Sequence, residues 1–111
     1  RLMIERIAAL PQDMPVIVTG DFNAHAERSE PYRIFIEGGM KDAWTRADHR
    51  EGPVTTWSAF KAPDPDSTQR IDWILYRGPF SVEHCETVTH NDDGRYPSDH
   101  YPVFAKMTLK P

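Results

Sequence analysis

The 111-residue sequence predicts a mixed α/β fold of α+β type, with helices early in the chain and an antiparallel portion of sheet later. Three observations predict it. Apolar residues at positions 3, 4, 7, 8 and 10 have the spacing of an amphipathic helix. Val16-Ile17-Val18-Thr19 is a β-branched run of strand length, and four more strand-like stretches follow after residue 53.

The first helix reads as already under way at Arg1, without an N-cap, an initiator methionine or the residue order of a signal peptide. That pattern is expected of a chain cut inside a helix, so compartment cannot be argued from the missing targeting region. The helix stops before Pro11. Pro15 leads into the Val16–Thr19 run, which Gly20 bounds and which reads as a strand buried on both faces. Ser29 is an N-cap for a helix at about 30 to 37, with Pro31 in its first turn and Gly38 or Gly39 as its stop. Strands are expected at Val54 to Ser58, Ile71 to Tyr76, Val82 to Thr89 and Tyr101 to Leu109. Loops are expected at Ala62 to Ser67 and at Asp92-Asp93-Gly94.

Composition narrows the function classes. With 39% hydrophobic and 27% charged residues, the chain reads as one compact unit over 1–111 with a thin core. A net charge of -4 gives no overall attraction to a polyanion, so a nucleic-acid role needs a local basic groove. No run of 18 apolar residues is present to span a bilayer. The single cysteine, Cys85, excludes an internal disulfide and a thiolate zinc site.

Three carboxylate motifs carry the chemistry. Gly20-Asp21-Phe22-Asn23 follows the first strand at its carboxyl end, where open α/β sheets present groups to ligands; as an isolated motif it reads equally well as an Asx turn. In Arg70-Ile71-Asp72-Trp73-Ile74-Leu75-Tyr76 the residues Ile71, Trp73 and Leu75 share one face, and Asp72 lies with Ile74 and Tyr76 on the other. Neither face is polar, so Asp72 needs a partner, either a functional one or Arg70, unless it stands at an exposed strand edge. Ser98-Asp99-His100 sets an acid beside an imidazole at the mouth of the last strand, pointing to opposite sides of an extended chain; as an isolated motif it reads better as a surface dipeptide in a loop.

Taken in order, Gly20-Asp21-Phe22-Asn23, Thr56-Trp57, Arg70-Ile71-Asp72 and Ser98-Asp99-His100 resemble the endonuclease/exonuclease/phosphatase superfamily over residues 16 to 108. Gly94 to His100 further resembles bacterial metal-dependent hydrolases of that group. The resemblance implies the carboxyl-terminal half of a four-layer, DNase I-like α/β sandwich and a divalent-metal-dependent hydrolase of phosphodiesters or phosphomonoesters. It implies that Asp21 positions the attacking water and shares the metal, that Asn23 donates to a phosphoryl oxygen, and that Asp99 ligates Mg²⁺ or Mn²⁺. His100 then acts at the phosphorus as base or transition-state stabiliser, with Asp72 holding its ring. The implied partners are a phosphoester substrate, either nucleic acid or a small phosphorylated molecule, and the amino-terminal half of the same fold.

Two departures from the family pattern matter. The metal-holding Asn and Glu and a further His of the family lie upstream of this motif series, whereas only nineteen residues precede Gly20 and Glu5 is their sole glutamate. Exposed apolar surface and little turnover by these 111 residues alone are therefore expected. Gln69 stands where abasic-site nucleases carry a Trp, which counts against DNA repair. Trp57 and Phe60 read as core aromatics that could also line a pocket, and His25, His49, His84 and His90 as ordinary. The competing readings are a catalytically dead interaction or scaffold module and an independent binding domain. The presence of Asp21, Asn23, Asp72, Asp99 and His100 together favours the enzyme.

Overall fold

The computed structural model describes residues 2–111. In chain order the elements are α1 (Leu2–Ala8), β1 (Val16–Asp21), α2 (Glu30–Glu37), β2 (Lys41–Asp42), α3 (Ala43–Arg46), β3 (His49–Glu51), β4 (Asp72–Arg77), β5 (Phe80–Thr87) and β6 (Val103–Leu109). They form a mixed α/β structure with two three-stranded sheets, ordered β1-β4-β2 and β3-β5-β6. All pairings are antiparallel except β3 with β5.

The two faces of β4 explain the layering. Trp73 and Leu75 are buried with Ile7, Tyr32, Phe35 and Met40 in the core under α1 and α2. Phe22 stacks on Trp73 at 4.3 Å and meets Phe35 edge-on at 5.6 Å. Tyr76, on the opposite face, packs with Ala43, Val82 and Cys85, and Ile74, Val103, Ala105 and Met107 lie against that second cluster. The inner faces of the two sheets therefore pack on each other. Burial also raises the Cys85 thiol to about 11, leaving it an unreactive core group.

Several expectations hold in detail. Ser29 caps α2, its Oγ accepting from the Tyr32 N–H, and Gly38 closes the helix. The Asp92 to Arg95 turn places Asp93 and Gly94 at φ 51° and 82°, as a tight hairpin turn requires. Exposed apolar side chains include Met14, Ile17, Phe104 and Leu109. The start of the first helix at Arg1 falls outside the described residues.

Other expectations are corrected. The Val16–Thr19 run is not buried on both faces: Val16 and Val18 pack on the helix-side core, but β1 is an edge strand and Ile17 is 50% exposed. Val54 to Ser58 is not a strand. Its hydrogen bonds go to side chains and loops, with Thr55 and Thr56 hydroxyls both reaching the Gln69 carbonyl, and left-handed Ala59 and Phe60 end the extended run. One isolated bridge, Trp57 to His100, is what remains of a ladder there. The last strand begins at Val103 rather than Tyr101 because Pro102 lacks an N–H to give. β2, α3 and β3 were not expected, being two to four residues long and beneath any readable period.

Asp42 organises that unexpected segment. Its Oδ1 caps α3 through the Trp44 N–H, and both its oxygens take the Arg70 guanidinium, at 3.1 and 2.6 Å. The Tyr32 hydroxyl adds a third donor at 2.7 Å. Burial disfavours the Arg70 cation, but Asp42 outweighs that and raises its pKa; burial and Asp42 also raise Tyr32. A buried pair with one partner removed leaves an uncompensated charge. Asp42→Ala is therefore expected to cost about 3–5 kcal/mol in urea unfolding, and a loss below about 1 kcal/mol would mean that the pair is not buried as described.

Candidate active site

Sheet register builds the site. In the antiparallel β1–β4 pair, Val16 faces Arg77 and the register runs through Val18–Leu75 to Asp21–Asp72, which sets two carboxylates directly opposite one another at the end of the ladder. Like charges in that position are destabilising unless something lies between them. His100 does. Its Nδ1 is 2.8 Å from Asp72 Oδ2 and its Nε2 is 3.5 Å from Asp21 Oδ2. Asp99 Oδ1 is 3.9 Å from the same Nε2.

Each of these side chains is fixed by the backbone around it. Thr56 is fully buried, and its Oγ1 accepts from the Ile71 and Asp72 N–H groups at 3.0 and 3.2 Å, pinning the start of β4. The Phe22 N–H bonds to the Ile71 carbonyl, holding the turn after β1 against the same point. Ser98 Oγ accepts from the His100 N–H, while the Ser58 and Ala59 N–H groups converge on the Asp99 carbonyl at 2.7 and 3.2 Å. The Trp57 ring meets the His100 imidazole edge-on at 5.4 Å and 89°.

The Gly20-Asp21-Phe22-Asn23 segment forms an Asx turn within the candidate site. Asp21 Oδ1 accepts from the Asn23 N–H at 2.9 Å, and Asn23 takes φ 49°. One Asp21 oxygen is thus spent on the turn, and the other faces His100. Asn23 is exposed. Arg70, weighed as a partner for Asp72, turns instead to Asp42. His25 pairs with Arg28 through Nδ1 at 3.0 Å, apart from the carboxylates. Trp57 and Phe60 are exposed rather than core.

A cavity of about 430 Å³ opens over the group, lined among others by Thr19, Asp21, Asp72, Ile74, His100 and Val103. Asp72 is 19% exposed, His100 25% and Asp21 38%, so the constellation grades from the sheet interior toward solvent. The Asp72 hydrogen bond is the main reason that the His100 pKa is raised above 6.5; burial opposes this, and the charges of Asp72, Asp21 and Asp99 add to it.

The roles of Thr56, Ser58 and Ser98 were not read from the sequence beyond the Thr56-Trp57 pair. Their one available signal is position: a hydroxyl two residues before His100, and Thr-Trp-Ser in a segment too polar for an ordinary strand. What the arrangement offers chemically is an imidazole held on one nitrogen and open on the other, beside two carboxylates with free oxygens.

The chain is similar to known proteins over nearly its whole length. A family model described as Endonuclease/Exonuclease/phosphatase family matches residues 2–100. An uncharacterized protein of Caenorhabditis elegans is 26% identical, over 88% of this chain and 42% of its own length. An endonuclease/exonuclease/phosphatase from Bacteroides vulgatus superposes with a TM-score of 0.84 at 29% identity, covering 98% of this chain and 42% of that one. A mannosyl-6-phosphatase from Bacteroides thetaiotaomicron gives a TM-score of 0.78 at 25% identity, over 97% and 43% respectively. The chain therefore spans less than half the length of these proteins, and its fold corresponds to part of theirs. No helix among the described residues is long and apolar enough to cross a membrane.

The raised His100 pKa gives a signed prediction. Protonated His100 is favoured in the folded state, so its stabilisation is complete below the unfolded value of about 6.5 and is lost as pH rises through the higher folded value. In metal-free buffer, NMR titration of the imidazole should give a midpoint above 6.5, and Asp72→Asn should lower it. A midpoint unmoved by Asp72→Asn would remove the Nδ1 to Asp72 contact as its cause.

Proposed function

The chain belongs to the endonuclease/exonuclease/phosphatase family, and from that membership and the site geometry we propose that it carries part of the active site of a divalent-metal-dependent phosphoester hydrolase. Family membership supports hydrolysis of phosphoesters in general. The observation that carries the reading to particular residues is the His100 imidazole bracketed by two carboxylates, Asp72 on Nδ1 and Asp21 on Nε2.

The donor set fits a hard cation. Mg²⁺ and Mn²⁺ take oxygen ligands, and Mg²⁺ is held by one or two carboxylates while keeping several waters. Asp21 and Asp99 supply such carboxylates, and both lie partly open to solvent around His100 Nε2. The bound ion would polarise the phosphoryl group and offset its charge.

The protein's own groups divide the remaining work. The free oxygen of Asp21 aligns the attacking water and accepts its proton as the new phosphorus–oxygen bond forms and the ester bond breaks. His100, donating from Nδ1 to Asp72, presents Nε2–H to a phosphoryl oxygen and stabilises the charge that builds there. Asn23, held in its turn by Asp21, offers its amide to a second phosphoryl oxygen. Trp57 fixes the rotation of the imidazole from the side.

The substrate is a phosphodiester or phosphomonoester. The likeness to a mannosyl-6-phosphatase supports a small phosphorylated molecule, as does the net charge of -4, which disfavours a polyanion. The remaining metal ligands and the cover for exposed Ile17 on β1 belong, on this reading, to the part of the family fold that the chain does not span.

The protein carrying the complete fold should release p-nitrophenol from p-nitrophenyl phosphate or its bis ester with Mg²⁺ or Mn²⁺ and stop in EDTA. His100→Ala and Asp21→Asn should each lower kcat by about 10²–10⁴-fold. Turnover that survived in both variants would exclude these two residues from the chemistry.

A further inference from the structure

A second cluster of metal-binding side chains lies on the other sheet. β3 and β5 pair in parallel, with His49 opposite His84 and Glu51 opposite Glu86. Because residues two apart on a strand share a face, these four side chains form a two-by-two array on one surface of the β3-β5-β6 sheet. It is the outer surface, since Cys85 and Thr87 between and beyond them are buried whereas His49 and Glu51 are exposed.

From this array we propose a binding site for a borderline divalent transition ion, Zn²⁺ being the representative, with Glu51, His84 and Glu86 as ligands. One ligand atom from each of the three lies within 4.8 Å of the others. His84 Nε2 and Glu86 Oε1 are 3.2 Å apart. Ligand atoms about 2.0–2.1 Å from a tetrahedral Zn²⁺ are separated by about 3.3–3.4 Å. That edge is already formed, and Glu51 has only to swing inward from an exposed position. His49, whose ring lies 6.3 Å from that of His84 by centroids, flanks the fourth position.

Charge supports a cation here. Glu51 and Glu86 are direct cross-strand neighbours, a repulsive placement. Among the described residues neither makes an ion pair with Lys or Arg; the contact of Glu86 is with His84. Lys106 is the partner of His84 on β6 and reaches neither carboxylate, and the nearby Arg50 donates to the Trp44 and Thr45 carbonyls instead. A divalent ion would balance both carboxylates. The imidazole makes the set a poor one for Mg²⁺ and a good one for Zn²⁺ or its neighbours.

Such a site would brace an edge. β3 is three residues long and joined to the sheet through β5 alone. A shared ion would tie its side chains to β5 where the ladder is shortest.

Zn²⁺ titration of the full chain tests this, with the His100→Ala variant as background because Asp21, Asp72 and His100 are also close enough to bind an ion. One equivalent should still bind in that background, shifting the His84 imidazole resonances and raising Tm. Adding His84→Ala or Glu51→Gln should weaken it by about tenfold or more while far-UV circular dichroism stays unchanged. Loss of all Zn²⁺ binding on His100→Ala alone, unshifted His84 resonances, or unchanged affinity in both outer-face variants would overturn the proposal.

Discussion

The β1–β4 register is the constraint on which the rest of the structure depends. Side chains alternate with a period of two along a strand, so a slip of one residue would turn Asp72 into the helix-side core and Trp73 out of it. Apolar burial forbids that slip: Val16 and Val18 share the helix-side core with Trp73 and Leu75. Thr56 then fixes the end of the ladder by accepting from the successive Ile71 and Asp72 amides where β4 begins. Once the register is set, Asp21 and Asp72 must face each other, and the imidazole between them offsets the resulting repulsion. A hydrophobic core thus determines where a polar site sits.

Two kinds of carboxylate differ in their surroundings here. Asp42 is almost wholly buried, satisfied by Arg70, Tyr32 and the Trp44 N–H, and has no oxygen left for a ligand. It joins α2, α3 and the approach to β4. Asp72 is only partly buried and Asp21 is exposed, and the two are bridged by a group that can change its charge near neutral pH. Full satisfaction marks a structural acid, and partial satisfaction beside a cavity marks a candidate for chemistry.

Much of the candidate site was legible in the sequence, for a physical reason. Asp21, Asp72 and His100 each stand next to a strongly β-branched or aromatic strand, and those strands place their ends together. Helix α2 was legible through Ser29, Pro31 and Gly38, which act locally. What was not legible acts at a distance or below the resolving length of a pattern. Nothing near Asp42 announces Arg70, which follows 28 residues later. β2 and β3 are too short to show alternation, and His49 and His84 acquire significance only once the parallel pairing of β3 with β5 is known. Val54 to Ser58 misled because β-rich composition does not guarantee a ladder partner. Val16 to Thr19 misled because an apolar run does not reveal that its strand lies at a sheet edge.

His100 is held by Asp72 through Nδ1, leaving Nε2 toward Asp21 and the cavity. Imidazole ¹⁵N chemical shifts of the metal-free protein, taken above the His100 pKa, test it most directly. The neutral tautomer is expected to carry its proton on Nδ1, hydrogen-bonded to Asp72, with a bare Nε2. A neutral His100 carrying its proton on Nε2 would contradict it.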